Sequence, residues 1–102
     1  MTREEALKAT YHIVCEDRNG QYGEPEDSFR PIARFWETYI AERCVSPGAE
    51  VTITPADVAV LLALMKVGRY ATALTDKPDT LLDMVGYATC AVEITSEPPE
   101  TR

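Results

Sequence analysis

The stretch Thr54–Tyr70, TPADVAVLLALMKVGRY, decides the fold. From Ala56 to Val67 ten of the twelve residues are apolar, so no helical face is polar enough to meet water, and a helix apolar all round is a buried one. The segment therefore reads as the central helix. Its start is written locally: Thr54 can cap, Pro55 suits the first helical position, where its missing N–H costs nothing, and Asp57 falls where a carboxylate meets free N–H groups. Toward its far end Lys66 and Arg69 stand three apart on one face. Cations on the most buried helix of a small domain must reach a carboxylate, the surface or an anionic ligand, because an unpaired buried charge is costly.

Downstream, Asp76, Pro78 and Asp79 announce another helix start, and Leu81, Leu82, Val85, Ala88, Ala91 and Val92 follow helical spacing to an end near Ile94. Upstream, Val45–Ile53 contains Pro47-Gly48 and reads as a loop. Before it, Phe29, Ile32, Ala33, Trp36, Tyr39 and Ile40 form an amphipathic stripe, predicting a helix that begins close to Ser28, with Asp27 or Ser28 capping and Pro31 in the first turn. Thr2 with Glu5 is a capping-box pattern opening a helix from Arg3 to Cys15. Between these two, EDRNGQYGEPED has turn residues and no apolar period, which predicts a loop. The fold class expected is all-α, a small four-helix bundle with residues 1–96 as one domain and 97–102 as a disordered tail. Helices three and four carry more apolar surface than so short a chain can cover, which predicts a homo-oligomer.

Composition narrows the function. With 45% hydrophobic and 26% charged residues the chain reads as globular rather than disordered. A formal charge of −7 opposes direct binding to nucleic acid. The N-terminus lacks the apolar core of a signal peptide and no apolar run is long enough to span a bilayer, so a cytoplasmic protein is expected, with no membrane partner. Three cysteines, Cys15, Cys44 and Cys90, without Cys-x-x-Cys spacing, predict reduced, mostly buried thiols rather than disulfides or zinc ligands. His12 is the sole histidine, which argues against a triad or a His-based zinc site. Neither a GxxxxGK[ST] loop nor a GxGxxG fingerprint occurs.

Two constellations remain. Helices three and four are joined by a short turn and should run antiparallel, bringing Lys66 or Arg69 within reach of Asp83, with Asp79 one turn earlier. This is either a structural ion pair or a polyanion site, in which Asp79 and Asp83 hold Mg²⁺ through hard oxygens while Lys66 and Arg69 take phosphate oxygens. Gly86 allows close helix packing, and Tyr87 puts a hydroxyl at the rim. The segment Arg18–Phe29 is the other: Arg18 supplies a cation, Tyr22 and Phe29 stacking surfaces, and Glu24, Glu26 and Asp27 carboxylates. Its plainer reading is a solvated turn that caps helix two. Trp36 is either a core residue or the floor of a base-binding pocket.

The stretches DRNGQYGEPEDSFRPIARFWETYI, ITPADVAVLLALMKVGRY and DTLLDMVGYATCAVE, in this order, resemble a family of small phage and prophage proteins without an assigned function. The resemblance runs from about Glu16 to Glu93. The Tyr-Gly segment and the Asp-x-x-x-Tyr helix are also similar to phage nucleotide-modification-associated domains and, more remotely, to MazG-like all-α nucleoside triphosphate pyrophosphatases. That likeness implies a MazG-like bundle, a phosphorylated nucleoside as ligand, Mg²⁺ as cofactor, and either pyrophosphohydrolysis or an accessory role in nucleotide modification. MazG-like enzymes hold the metal with Glu-x-x-Glu on one helix and Glu-x-x-Asp on a later one; here the later helix offers Thr80-x-x-Asp83, so one acidic ligand is missing unless Asp79 replaces it. Nucleotide binding survives that departure better than hydrolysis does. A non-catalytic alternative is a counter-defence protein, acting in the host cytoplasm, that sequesters a nucleotide signal or binds a host protein.

Overall fold

The computed structural model describes residues 1–46 and 48–96, the side chains of Arg18, Asn19 and Tyr22 lying outside the description. The predicted tail, 97–102, also lies outside the described residues. Among the described residues all regular structure is helical: α1 (Arg3–Tyr11), a π-helical continuation (His12–Arg18), α2 (Asn19–Tyr22), α3 (Pro25–Cys44), α4 (Pro55–Thr72) and α5 (Pro78–Thr95). Because α1, the π segment and α2 follow one another without a break, the architecture is an all-α bundle of four helical rods.

The helix starts that local chemistry dictates are in place. Glu5 N–H donates to Thr2 Oγ1 at 3.1 Å while Thr2 N–H donates to Glu5 Oε1 at 2.9 Å. Asp57 N–H donates to Thr54 Oγ1 at 3.1 Å and Thr54 N–H to Asp57 Oδ2 at 2.9 Å. Each box satisfies two N–H groups that the helix itself leaves over, worth about 1 kcal/mol. The loop before α4 is tied to α3, since Ile53 N–H donates to Glu37 Oε2 at 2.7 Å.

The segment predicted as a long loop is mostly helical. The first rod does not stop at Cys15 but runs on to Tyr22, and only Gly23 and Glu24 connect it to α3. The chain reverses at Gly23, whose φ of +78° is the left-handed conformation glycine adopts without penalty. Asn19-Gly20, a turn signal by composition, lies inside helix instead. Similarly, α3 begins at Pro25 rather than Ser28, with Glu24 at the N-cap position but no side-chain capping hydrogen bond, and Pro31 falls in the helix interior. The π segment packs on α5 near its start: a Cβ at Gly86 would lie 2.8 Å from Val14 Cγ2, so the bare glycine lets the two rods close up.

The larger correction concerns α4, which is not buried all round. Val58 and Ala59 are fully buried, but Val60 is 51% exposed and Leu64 57%. The two cysteines Cys15 and Cys44 are exposed and only Cys90 is buried, against the expectation of mostly buried thiols. These departures share one physical cause, the way the rods are arranged. The hairpin of α4 and α5 is the best-packed pair; α3 lies against α4 and α1 against α5, while α1 and α3 do not approach each other. The bundle is therefore open, 48 × 45 × 23 Å, and a gap is left where α1 and α3 fail to meet.

Candidate functional site

Between α3, α5 and the π segment lies a cavity of about 540 Å³, within the range of small-molecule sites. One wall is a single face of α5, where Asp83, Gly86, Tyr87, Cys90 and Glu93 follow helical spacing. The opposite wall is the first turns of α3, where Pro25, Ser28, Phe29 and Ile32 do the same. Ile13, Val14 and Cys15 of the π segment, Leu62 of α4, and Gly23 and Glu24 of the connection before α3 complete the lining. The lining is mainly apolar, with carboxylates at separated points along α5.

Asp83 sits opposite Lys66, whose Nζ is 3.0 Å from Oδ2, and both side chains are mostly buried at 16% and 17% exposure. The antiparallel hairpin requires that meeting, and it neutralises Asp83 within the protein. Arg69 is exposed and makes no ion pair within 4 Å among the described residues. Lys66 and Arg69 thus have different surroundings, and neither lines the cavity. Asp79 is exposed in the first turn of α5.

The other carboxylates are differently placed. Oxygen atoms of Glu24, Glu26 and Glu93 all lie within 4.8 Å of one another, the one such group of three among the described residues. Glu24 and Glu26 flank Pro25 at the amino end of α3, where free N–H groups favour negative charge. Glu93 is in the last turn of α5, which holds no basic residue. Desolvation pushes the Glu93 carboxyl above the ordinary range, and the charges of Glu26 and Glu24 push it further the same way. Glu26 Oε2 is buried and has no hydrogen-bond partner among the described residues. A buried carboxylate oxygen without a donor, facing two further acids, is the arrangement that a hard divalent cation relieves.

Of the residues singled out in the sequence, Phe29 and Tyr87 come together on opposite walls of the cavity, both half-buried. Trp36 is half-buried on α3 and does not line it. The side chains of Arg18 and Tyr22 lie outside the described residues. Glu24 and Glu26 stood out as carboxylates of a supposed loop, whereas Glu93 was missed. The available signal was spacing, since Glu93 lies ten residues after Asp83, on the same helical face as Gly86, Tyr87 and Cys90.

Residues 5–95 match the model of a family described as a domain of unknown function (DUF6378). The chain belongs to this family. It is similar to the Gene 55 protein of Mycobacterium phage D29, 33% identical over 97 residues, which cover 95% of this chain and 58% of that protein. It is also similar to the Gene 55 protein of Mycobacterium phage L5, 32% identical over 82 residues, covering 80% of this chain and 47% of that protein. The chain thus spans about half the length of these relatives, and the residues that match the family model include the whole cavity lining. No solved structure matches it. Among the described residues no helix is long and apolar enough to cross a membrane.

Proposed function

We propose that the cavity binds a phosphorylated nucleoside as its complex with a divalent cation, Mg²⁺ in the cell. The observation that carries this reading is that the apolar cavity and the three-carboxylate cluster share Glu24 and Glu93. Phe29 of α3 and Tyr87 of α5, both lining the cavity, would supply aromatic surfaces for the base. The phosphates belong at the acidic mouth, where a bare polyanion would be repelled both by the cluster and by the net charge of −7. Glu24, Glu26 and Glu93 would hold the cation, which supplies the positive charge that phosphate oxygens need.

This places the metal away from Asp79 and Asp83. Asp83 is matched by Lys66, and a cation there would have to compete with an ammonium at 3.0 Å. Pyrophosphohydrolysis, which the MazG-like resemblance implies, and non-catalytic sequestration of a nucleotide signal both begin from the same metal–nucleotide complex. The phage relatives suit either role.

The experiment is a thermal-shift panel of nucleoside mono-, di- and triphosphates with and without Mg²⁺. Phosphorylated nucleosides should raise the melting temperature only when Mg²⁺ is present, since a ligand at a hundredfold its dissociation constant adds roughly 2.7 kcal/mol. Stabilisation that is equal in EDTA and in Mg²⁺ contradicts the acidic cluster as the phosphate end; no stabilisation by any nucleotide contradicts the reading as a whole.

A further inference from the structure

Opposite its packed side, each helix of the α4–α5 hairpin presents an apolar stripe. On α4 it includes Val60, Leu61 and Leu64, and on α5 Leu81, Val85 and Val92, all exposed. Their spacing by three, four and seven residues keeps each stripe on one helical face, away from the inward Val58 and Ala59 of α4 and Leu82 and Cys90 of α5.

Two observations say what covers these stripes. The first is the thinness of the core. Among the described residues the buried apolar set is Ala33, Val58, Ala59, Leu82 and Cys90, all small or medium in size apart from Leu82. The radius of gyration is 15.6 Å, where a compact chain of this length gives about 13 Å. So little burial cannot offset the conformational entropy of ordering four rods. Whatever supplies the missing burial must be at hand whenever the chain folds, and another copy of the same chain meets that condition.

The second is charge. The chain carries 17 acidic residues, yet none occurs between Asp57 and Asp76, and none between Asp83 and Glu93. Two copies, each with a net charge of −7, repel over most of their surface. The hairpin's outer stripes are where like can meet like. Gly68, on the same exposed side of α4, fits this: a Cβ there would meet nothing within 4 Å, so in the single chain no packing calls for a residue that weakens a helix. A helix from a second copy would approach most closely at that point.

We infer that the outer face of the α4–α5 hairpin is an isologous dimer interface, occupied by a second copy of this chain. Sedimentation equilibrium on the full chain at micromolar concentration should give twice the chain mass, and the melting temperature should rise with protein concentration. Leu64→Glu and Gly68→Gln both have open space in the single chain, and each should weaken the dimer at least tenfold, while Leu7→Glu, exposed on α1, should leave it unchanged. Should Leu64→Glu fail to fold, the mass and concentration dependence of the wild type still decide. A wild type that stays monomeric and folded, with or without another protein bound to this face, overturns the inference. So does a dimer that neither Leu64→Glu nor Gly68→Gln weakens.

Discussion

The two ends of the cavity wall formed by α5 handle negative charge in opposite ways. At one end Asp83 faces Lys66 at 3.0 Å, and the pair is mostly withdrawn from water. Ten residues along, about 15 Å at helical rise, Glu93 faces Glu24 and Glu26, and Glu26 keeps a buried oxygen without a donor. The first arrangement is complete within the protein and holds α4 to α5. At the second, Glu26 Oε2 is buried without a hydrogen-bond partner among the described residues, and this is where the proposed cation would lower the free energy. What distinguishes the two ends is the company each carboxylate keeps across the helix interface, not its depth.

Breaking the balanced end should cost most. Lys66→Met removes the cation facing Asp83, and we expect a stability loss of about 2–3 kcal/mol by urea denaturation, below the 3–5 kcal/mol of a fully buried pair because some water reaches this one. A loss too small to measure would mean that Asp83 needs no counter-ion, and would restore it as a candidate metal ligand.

At the acidic end the sign should reverse. The Glu93 carboxyl is raised in the folded protein, so between its ordinary and its raised value the folded state binds more protons than the unfolded one. Its contribution to stability therefore falls as pH rises through that window, and at neutral pH the ionised group opposes folding. Glu93→Gln should make the protein slightly more stable at pH 7 without metal, by roughly 0.5 kcal/mol or less since solvent screens the group. The same variant should lose the stabilisation that Mg²⁺ gives. Loss of stability at neutral pH in Glu93→Gln would show that an attractive contact, not repulsion, dominates at that end.

Arg69→Ala should do least. The residue is exposed and does not line the cavity, so unfolding free energy should stay within about 0.5 kcal/mol and nucleotide affinity in Mg²⁺ should be unchanged. A tenfold loss of affinity would extend the phosphate end toward α4.

The sequence announced the helices where a few adjacent residues determine them. Thr54, Pro55 and Asp57 fix the start of α4 through contacts three residues apart, and the meeting of Lys66 with Asp83 follows from a short connection between antiparallel rods. Residues 16–24 were misread because Asn19-Gly20 favours a turn only weakly, and packing of the π segment on α5 at Gly86 outweighs that preference. The apolar run of α4 promised burial without saying by what; half of it faces outward in the single chain. Glu93 went unnoticed because its significance lies in Glu24 and Glu26, nearly seventy residues away in sequence and joined to it only by the fold.

The most direct test of the central claim is where a divalent cation settles. Titrating isotopically labelled protein with substoichiometric Mn²⁺ should broaden the backbone amide signals of residues 23–27 and 91–95 first, with excess Mg²⁺ reversing the effect. Broadening centred on residues 76–84, around Asp79 and Asp83, or spread evenly over the acidic surface, would contradict it.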